Sequence, residues 1–167
     1  MMNFETAVFI ILQKEGGLVN HPKDPGGITK YGISLRAYPH LGTEGIRNLT
    51  VDDAKKIYKR DYWDYLKCDK LPDELRLMTF DCGVNQGVGF AVKALQSAIG
   101  VTADGKLGPQ TLTAAGRACR DRATSKKTIH RFALNRTLRY MQNKNFNSFG
   151  EGWMSRLLEI TIETLED

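Results

Sequence analysis

A glycine-rich segment close to the N-terminus constrains the fold more than any other feature, because it interrupts an otherwise helical pattern. Residues 18–34 contain His-Pro, Asp-Pro and Gly-Gly steps between short runs of β-prone residues. Such dipeptides are typical of turns. The segment therefore predicts a small hairpin or a three-stranded sheet with irregular turns. A helix over residues 3–14 precedes it, with an apolar stripe that includes Phe4, Ala7 and Ile11.

Helical periodicity returns in the second third of the chain and continues to its end. Thr50-x-x-Asp53 resembles a capping box that opens one helix, and Pro109 fits the first position of another. The other predicted helices cover residues 72–85, 87–99, 126–143 and 151–165. The 167 residues include 41% hydrophobic residues, and there is no low-complexity linker. We therefore predict a mainly helical α+β fold with a small N-terminal sheet, in one domain over residues 1–167.

Several classes of protein are disfavoured by the composition. No run approaches 18 apolar residues, so no transmembrane segment is expected. The apolar stretch at residues 7–12 lacks the basic flank of a signal peptide, and we expect synthesis in the cytoplasm. Cys68, Cys82 and Cys119 form no C-x-x-C pair, which favours reduced thiols. The three histidines show no zinc-ligand spacing, so we expect neither a metal nor a cofactor.

Positive charge is concentrated in one segment. The chain has 24 Lys and Arg against 19 Asp and Glu, a net charge of +5. Nine of the basic residues and only one acid, Asp121, lie between Arg117 and Lys144. The simplest interpretation is a solvated helical face. The alternative is a surface that attracts polyanions, namely nucleic acid, anionic lipid or an anionic cell-wall polymer.

Two carboxylates and a hydroxyl in the glycine-rich region suggest glycosidic bond cleavage. Glu15 is expected at a helix end, where the helix dipole and apolar neighbours favour the protonated form that a general acid needs. Asp24, on a turn near backbone N–H donors, suits the ionised partner, and Thr29 is placed to hold the attacking water. Taken singly, the three residues are better explained as a surface glutamate, a turn aspartate and a strand threonine.

The same residues resemble a known family. Glu15 through Ile33 follows the E-G-G…D-x-G-G-x-T-x-x-G-[IV] pattern of glycoside hydrolase family 108. These are lysozyme-like N-acetylmuramidases found among bacteriophage endolysins and bacterial relatives. Leu18 departs from the pattern, where an aromatic residue is expected. The resemblance implies a lysozyme-like fold and assigns the catalytic roles to Glu15, Asp24 and Thr29.

Further resemblances imply residues that contact the sugar. The aromatic run from Tyr58 to Tyr65 is similar to a helix of the family's first half, and residues 80–87 resemble a lysozyme-superfamily helix that ends in Asn-x-Gly. The candidates for substrate binding are His21, Tyr31, Tyr62, Trp63, Asp81 and Asn85.

These candidates each have a structural alternative. Tyr58 and Tyr62 fit a core stripe, and His21 fits a loop hydrogen bond. Asp81 and Asn85 are i, i+4 neighbours that fit a structural network equally well.

The second half of the chain resembles the predicted peptidoglycan-binding region that follows this catalytic region. The marker is the run from Ala94 to Thr111, with Asp104-Gly-Lys-Leu-Gly-Pro109 at its centre. In physical terms the motif is a turn followed by a helix start, which is also its purely structural explanation. We expect residues 1–88 to form the catalytic half. Residues 89–167 would then form a helical lobe of the same lysozyme-like fold.

The implied activity is hydrolysis of the β-1,4 bond between N-acetylmuramic acid and N-acetylglucosamine in bacterial peptidoglycan. A phage endolysin that reaches the wall after holin-type release fits best, acting as a monomer. A bacterial or prophage autolysin is the second possibility. A non-catalytic wall-binding protein is a rival from another class. A nucleic-acid-binding protein is disfavoured, because it leaves the Glu15–Ile33 pattern unexplained.

Overall fold

Most of the chain is α-helical. The structure, a computed structural model, describes residues 1–19 and 27–166. Its elements in order are α1 (Phe4–Glu15), β1 (Thr29–Lys30), β2 (Ile33–Ser34), α2 (Gly42–Asn48), α3 (Val51–Tyr58), α4 (Asp73–Gln86), α5 (Val88–Ile99), α6 (Pro109–Ala118), α7 (Arg122–Met141) and α8 (Phe146–Glu166). The predicted α+β fold, mainly helical with a small sheet near the N-terminus, is confirmed.

The two strands form a tight hairpin. They pair antiparallel with Lys30 opposite Ile33, so only Tyr31 and Gly32 form the turn. Both turn residues have positive φ, 52° and 77° respectively. Positive φ at both central positions is the signature of a type I′ turn, whose twist matches that of paired strands. The glycine at the second position adopts this conformation without strain, whereas the tyrosine does so at a steric cost.

The chain divides into two compact units. The first consists of the described residues between Phe4 and Asp61, and it holds the hairpin and the helices α1 to α3. Val8, Ile11 and Ile46 are completely buried in it. The predicted capping box is present, since Thr50 and Asp53 bond reciprocally across the first turn of α3. Each bond satisfies a backbone N–H that the helix start would leave unpaired.

The second unit contains Met1–Asn3 and the described residues from Tyr62 onward. Within it α4 packs against α5, α7 and α8, and α5 and α8 both pack on α7. Because α4 is covered on several sides, eight of its residues between Leu75 and Gly83 are buried. Phe80 and Phe132 are among the largest side chains of this core.

Several element boundaries differ from the sequence prediction. The helix α7 begins at Arg122, four residues before the predicted start, because Asp121 and Thr124 form a second reciprocal capping box. The helix α8 also begins earlier, at Phe146. A π-helical turn, Lys59–Asp64, follows α3 directly. Amphipathic periodicity does not detect this turn, since its hydrogen-bond spacing differs from that of an α-helix.

Two further properties follow from these elements. No helix within residues 1–19 and 27–166 has the length and apolar character needed to span a membrane. Cys68, Cys82 and Cys119 form no disulfide within the described part of the chain, and the first two are buried. Burial raises the pKa of Cys82 to about 12, so this thiol stays protonated and inert near neutral pH.

Candidate active site

Glu15 is the last residue of α1 and is half-buried. Gly16 follows with φ +70°, a left-handed conformation that ends the helix directly after the carboxylate. The side chain of Glu15 lies against the hairpin turn. A methyl group built on Gly32 would come within 2.9 Å of the Oε2 atom of Glu15. Position 32 therefore has to be glycine for two reasons, its positive φ and the carboxylate beside it.

Tyr58 completes this arrangement from α3. It is almost completely buried, and its hydroxyl donates a hydrogen bond to the carbonyl oxygen of Tyr31 at 2.9 Å. The same hydroxyl occupies the space that a Cβ on Gly32 would need. The end of α1, the turn of the hairpin and the end of α3 thus converge on Gly32. Tyr58 lies in the core, as the apolar stripe in the sequence favours, but no signal in the sequence indicates that its hydroxyl holds the turn.

Thr29 belongs to the same hairpin. Its backbone exchanges two hydrogen bonds with Val19, each of 2.8 Å. This single bridge adds Val19 to the edge of the hairpin, which places the chain after α1 beside β1. The side chain of Thr29 is half-buried. The predicted catalytic residues Glu15 and Thr29 therefore lie in the same compact unit. Asp24, the third predicted catalytic residue, lies between them in the sequence.

Asp24 and His21 lie outside the described residues, so their predicted roles remain predictions. Tyr31 is half-buried, and the ammonium group of Lys30 lies 5.4 Å from its ring centroid. Tyr62, in the π-helical turn, is also half-buried. Both rings keep part of their surface exposed, as a sugar contact requires.

Trp63 does not present a face to solvent. Its exposed fraction is 0%, and its ring packs edge-to-face on Phe80 with the centroids 5.3 Å apart. Burial of this indole favours core packing over the predicted contact with the substrate. The π-helical turn shifts the helical register by about one position, which turns Trp63 into the core.

Asp81 is likewise withdrawn from any ligand. It is completely buried, accepts a hydrogen bond of 2.6 Å from Nη2 of Arg136, and accepts another of 2.9 Å from Nε of Arg156. Burial and the two arginine partners favour the structural network over the predicted direct contact between Asp81 and the sugar. Burial lowers the pKa of Arg136, but the charges of Asp81, Cys82 and Tyr140 together with the hydrogen bond to Asp81 outweigh burial, so that pKa is raised. Arg136 is the partner that the sequence analysis missed.

Asn85, one turn further along α4, is half-buried and accepts a hydrogen bond from the hydroxyl of Tyr140. Burial raises the pKa of Tyr140, which keeps the phenol neutral and able to donate. Gln86 joins the same network, since its Oε1 accepts from Nε of Arg136 at 2.7 Å. Asp81 and Asn85, the i, i+4 pair on α4, therefore have different roles. Asp81 anchors the network in the core, and Asn85 stands at its edge.

The basic segment is a solvated face with one exception. Arg136 is completely buried and paired, so it adds nothing to the surface field. Arg117, Lys127 and Arg131 are exposed and line a groove of about 390 Å³ between α5, α6 and α7. None of the residues that line this groove is acidic. The groove therefore presents three positive charges with no acidic residue in its lining.

The Asp104–Pro109 motif is explained by one buried glutamine. Gln96 on α5 donates to Oδ1 of Asp104 at 2.7 Å and accepts from the backbone N–H of Gly105 at 2.9 Å. It also donates to the hydroxyl of Thr111 at 3.2 Å, in the first turn of α6. These bonds fix the turn onto α5, so the motif has the structural role that its sequence allows.

Comparisons with known proteins identify a family and a structural neighbour for this chain. Residues 8–87 match the family described as Glycosyl hydrolase 108, and residues 90–158 match a predicted peptidoglycan domain. The chain is similar to SagA of Brucella abortus, whose solved structure superposes with a TM-score of 0.86 and 32% sequence identity. The similarity covers 98% of this chain and 94% of that one. A search of curated proteins found no match.

The two matched regions and the structural neighbour support each other. The fold is of the lysozyme-like α+β type. A glycosidase region joined to a peptidoglycan-binding region makes this protein a peptidoglycan hydrolase. The chain belongs to the glycosyl hydrolase 108 family.

Proposed function

We propose that the protein is an N-acetylmuramidase that cleaves the β-1,4 bond between N-acetylmuramic acid and N-acetylglucosamine, with Glu15 as the general acid. The observation that carries the proposal is the position of the Glu15 carboxylate against the glycine of the hairpin turn. A general acid must reach the leaving oxygen from a fixed position. Termination of α1 at Gly16 and the contact with the turn restrict this carboxylate on two sides.

The remaining catalytic roles follow the family pattern. Asp24 is proposed as the ionised carboxylate that orients water or stabilises the oxocarbenium-like transition state, and Thr29 as the residue that holds the water. We propose inversion at the anomeric carbon, by analogy with phage lysozymes. Inversion requires the two carboxyl groups to lie roughly 6.5–9.5 Å apart, whereas retention requires roughly 5–5.5 Å.

The decisive experiment compares wild type with Glu15→Gln on purified peptidoglycan. Digestion, borohydride reduction and mass spectrometry identify the new reducing ends. We expect reduced muramic acid from wild type and a loss of at least about 10²-fold in the variant, because the amide cannot donate a proton to the leaving oxygen. Glu5→Gln, an exposed glutamate on the same helix, is the matched control and should retain full activity.

Other results of the same digestion would reject the assignment. Reduced glucosamine would indicate a glucosaminidase, and newly freed peptides would indicate an amidase or peptidase. Binding to the wall without any new reducing end would support the rival non-catalytic wall-binding protein. Near-normal turnover by Glu15→Gln, with an unchanged circular dichroism spectrum, would remove Glu15 from the mechanism.

We further propose that the protein is a monomeric phage endolysin that reaches the wall after holin-type release. The resemblance of the Glu15–Ile33 pattern to phage lysozymes supports this origin, and a bacterial autolysin of the same chemistry is the alternative. Expression in a bacterial cytoplasm with and without a co-expressed holin separates the two. An endolysin should lyse the cells only when the holin is present.

The basic groove supports a second contact, with anionic components of the cell envelope. Arg117 and Lys127 line it, and neither has an ion-pair partner among the described residues. We expect Arg117→Glu with Lys127→Glu to weaken binding to walls and anionic vesicles several-fold at low salt, because the attraction depends on unscreened charge. Arg122→Glu with Lys126→Glu carries the same charge change outside the groove. Equal weakening by both pairs would show that net charge alone is responsible.

A further inference from the structure

A small pocket in the second unit contains none of the proposed catalytic residues Glu15, Asp24 and Thr29. The end of α4, the end of α7 and the start of α8 surround a space of about 220 Å³. Its lining residues are Asn85, Gln86, Arg139, Tyr140, Asn143 and Trp153. The set contains two aromatic rings, three amides and one guanidinium, and it contains no carboxylate. Such a combination of flat apolar rings and neutral polar groups is typical of sites that bind carbohydrate.

The aromatic side of the pocket is fixed by stacking. The rings of Tyr140 and Trp153 lie 5.4 Å apart at an interplanar angle of 23°. Phe149, which is largely exposed, packs on the indole at 6.1 Å. Tyr140 is buried, whereas Trp153 is only half-buried. The indole is therefore held by neighbouring rings while part of its own surface remains accessible to a ligand.

The amides of the pocket are oriented by their own acceptor atoms. The Oδ1 atom of Asn85 accepts the Tyr140 hydroxyl, and the Oδ1 atom of Asn143 accepts the backbone N–H of Asn145 at 2.9 Å. The NH₂ groups of Asn85 and Asn143 have no partner among the described residues. By contrast, the Nε2 of Gln86 donates to the carbonyl oxygen of Arg136 at 3.2 Å. The pocket thus presents two amide donors and lacks matching acceptors.

The donor on Asn85 is held rigidly. Its bond partner Tyr140 also receives a long hydrogen bond of 3.5 Å from Arg136, and Arg136 is ion-paired with Asp81 in the core. A side chain fixed by a buried network loses little conformational freedom when a ligand binds. The NH₂ donors of Asn85 and Asn143 lie in the same pocket as the ring of Trp153. This arrangement fits a ligand that has a carbonyl acceptor attached to a ring with an apolar face.

We propose that this pocket binds an acetamido sugar of the glycan strand. The acetamido carbonyl accepts hydrogen bonds from the NH₂ groups of Asn85 and Asn143, and the sugar packs against Trp153. This inference rests on the proposed function, because it takes peptidoglycan as the polymer. The acetamido group distinguishes that polymer from unsubstituted glucans, so the pocket contributes specificity as well as affinity.

Intrinsic fluorescence tests the inference directly, because the chain has two tryptophans and Trp63 is completely buried. The Glu15→Gln protein is titrated with the trisaccharide of N-acetylglucosamine and with cellotriose, which lacks acetamido groups. We expect a saturable change with the first sugar and none with the second. The change should disappear in Trp153→Phe and persist in Trp63→Phe.

Matched variants then isolate the donors. Asn85→Asp keeps the acceptor for Tyr140 and removes the NH₂ group, and we expect it to weaken binding of the trisaccharide at least tenfold. Asn147→Asp, an exposed position at the start of α8, makes the same charge change outside the pocket and should bind as the parent does. Asn143→Ala, at an exposed position, tests the second donor without risk to the core.

Three results would overturn the inference. They are equal binding of cellotriose, no saturable signal at millimolar trisaccharide, and unchanged affinity in both Asn85→Asp and Asn143→Ala. A response to acidic muropeptides that is independent of the acetamido sugar would instead assign the pocket to a carboxylate bound by Arg139. Failure of the muramidase assignment is seen separately, in the reducing ends that the wild type releases.

Discussion

Gly32 shows how much one residue can decide at this site. It has a φ of +77°, and its missing side chain leaves room for the Tyr58 hydroxyl and the Glu15 carboxylate. The family-like pattern marks this glycine in the sequence, but the pattern does not reveal what lies against it. The structure provides the reason, since two functional groups from different helices share the space where a Cβ would be.

Replacement of this glycine is therefore expected to damage stability and activity together. Gly32→Ala should cost about 1–2 kcal/mol from the left-handed backbone alone, and more because the methyl group displaces the Glu15 carboxylate. Urea unfolding measures the first effect, and the lysis rate of purified walls measures the second. Gly116→Ala, on α6 with open space around its Cα, is the control and should be neutral or slightly stabilising. Wild-type lysis by Gly32→Ala would show that the turn does not position the acid.

At the scale of elements, the helix starts are the best determined features. The Thr50 and Asp121 capping boxes both place a side-chain acceptor where a backbone N–H needs one. The first follows a familiar sequence pattern and was predicted. In the Asp121 capping box the third helical residue is Thr124, whereas glutamate or glutamine is usual at this position. For that reason the predicted start of α7 is four residues late.

The Asp121 cap makes the start of α7 sensitive to acid. Hydrogen bonds from the backbone and side chain of Thr124 hold the pKa of Asp121 below its usual value. The folded state thus favours the carboxylate, and the stabilisation is complete above about pH 4 and is lost as the pH falls through the lowered pKa. Asp121→Ala should lower the melting temperature by about 2–4 °C at pH 7.

This difference between Asp121→Ala and wild type should shrink as the pH falls through the lowered pKa, because the protonated cap loses the charge assistance of its hydrogen bonds. Thermal melts followed by circular dichroism at pH 7, 4 and 2.5 measure it. Asp69→Ala, at another exposed aspartate, controls for loss of negative charge. A difference that stays constant over this pH range would contradict a role for the ionised carboxylate.

For the molecule as a whole, a buried ion pair between Asp81 and Arg136 links α4 to α7. Both side chains are completely buried, and Arg156 ties α8 to the same carboxylate. Removal of one partner from a buried pair leaves a charge without compensation. Asp81, Arg136 and Arg156 thus connect three helices whose positions decide where Asn85 and Trp153 lie.

Arg136→Met should therefore destabilise the protein by about 3–5 kcal/mol, somewhat less if Arg156 moves to compensate Asp81. Arg131→Met removes an exposed arginine from the same helix and should change the stability little. Calorimetry is the measurement, and it also tests the single-domain prediction. We expect one cooperative transition in wild type, shifted as a whole in Arg136→Met. Two separate transitions would show that residues 1–167 do not unfold as one domain.

Features that depend on near neighbours in the chain could be predicted from the sequence. Turn dipeptides, helical periodicity and a capping pattern predicted the hairpin, most of the helices and the position of Glu15 at the end of α1. Which polar and aromatic residues are exposed and which are buried could be learned only from the packing of the helices. Trp63, Asp81 and Arg136 carry side chains that suit a binding surface, yet all three are buried. Burial depends on which helix packs against which, and those contacts join residues that are far apart in the chain.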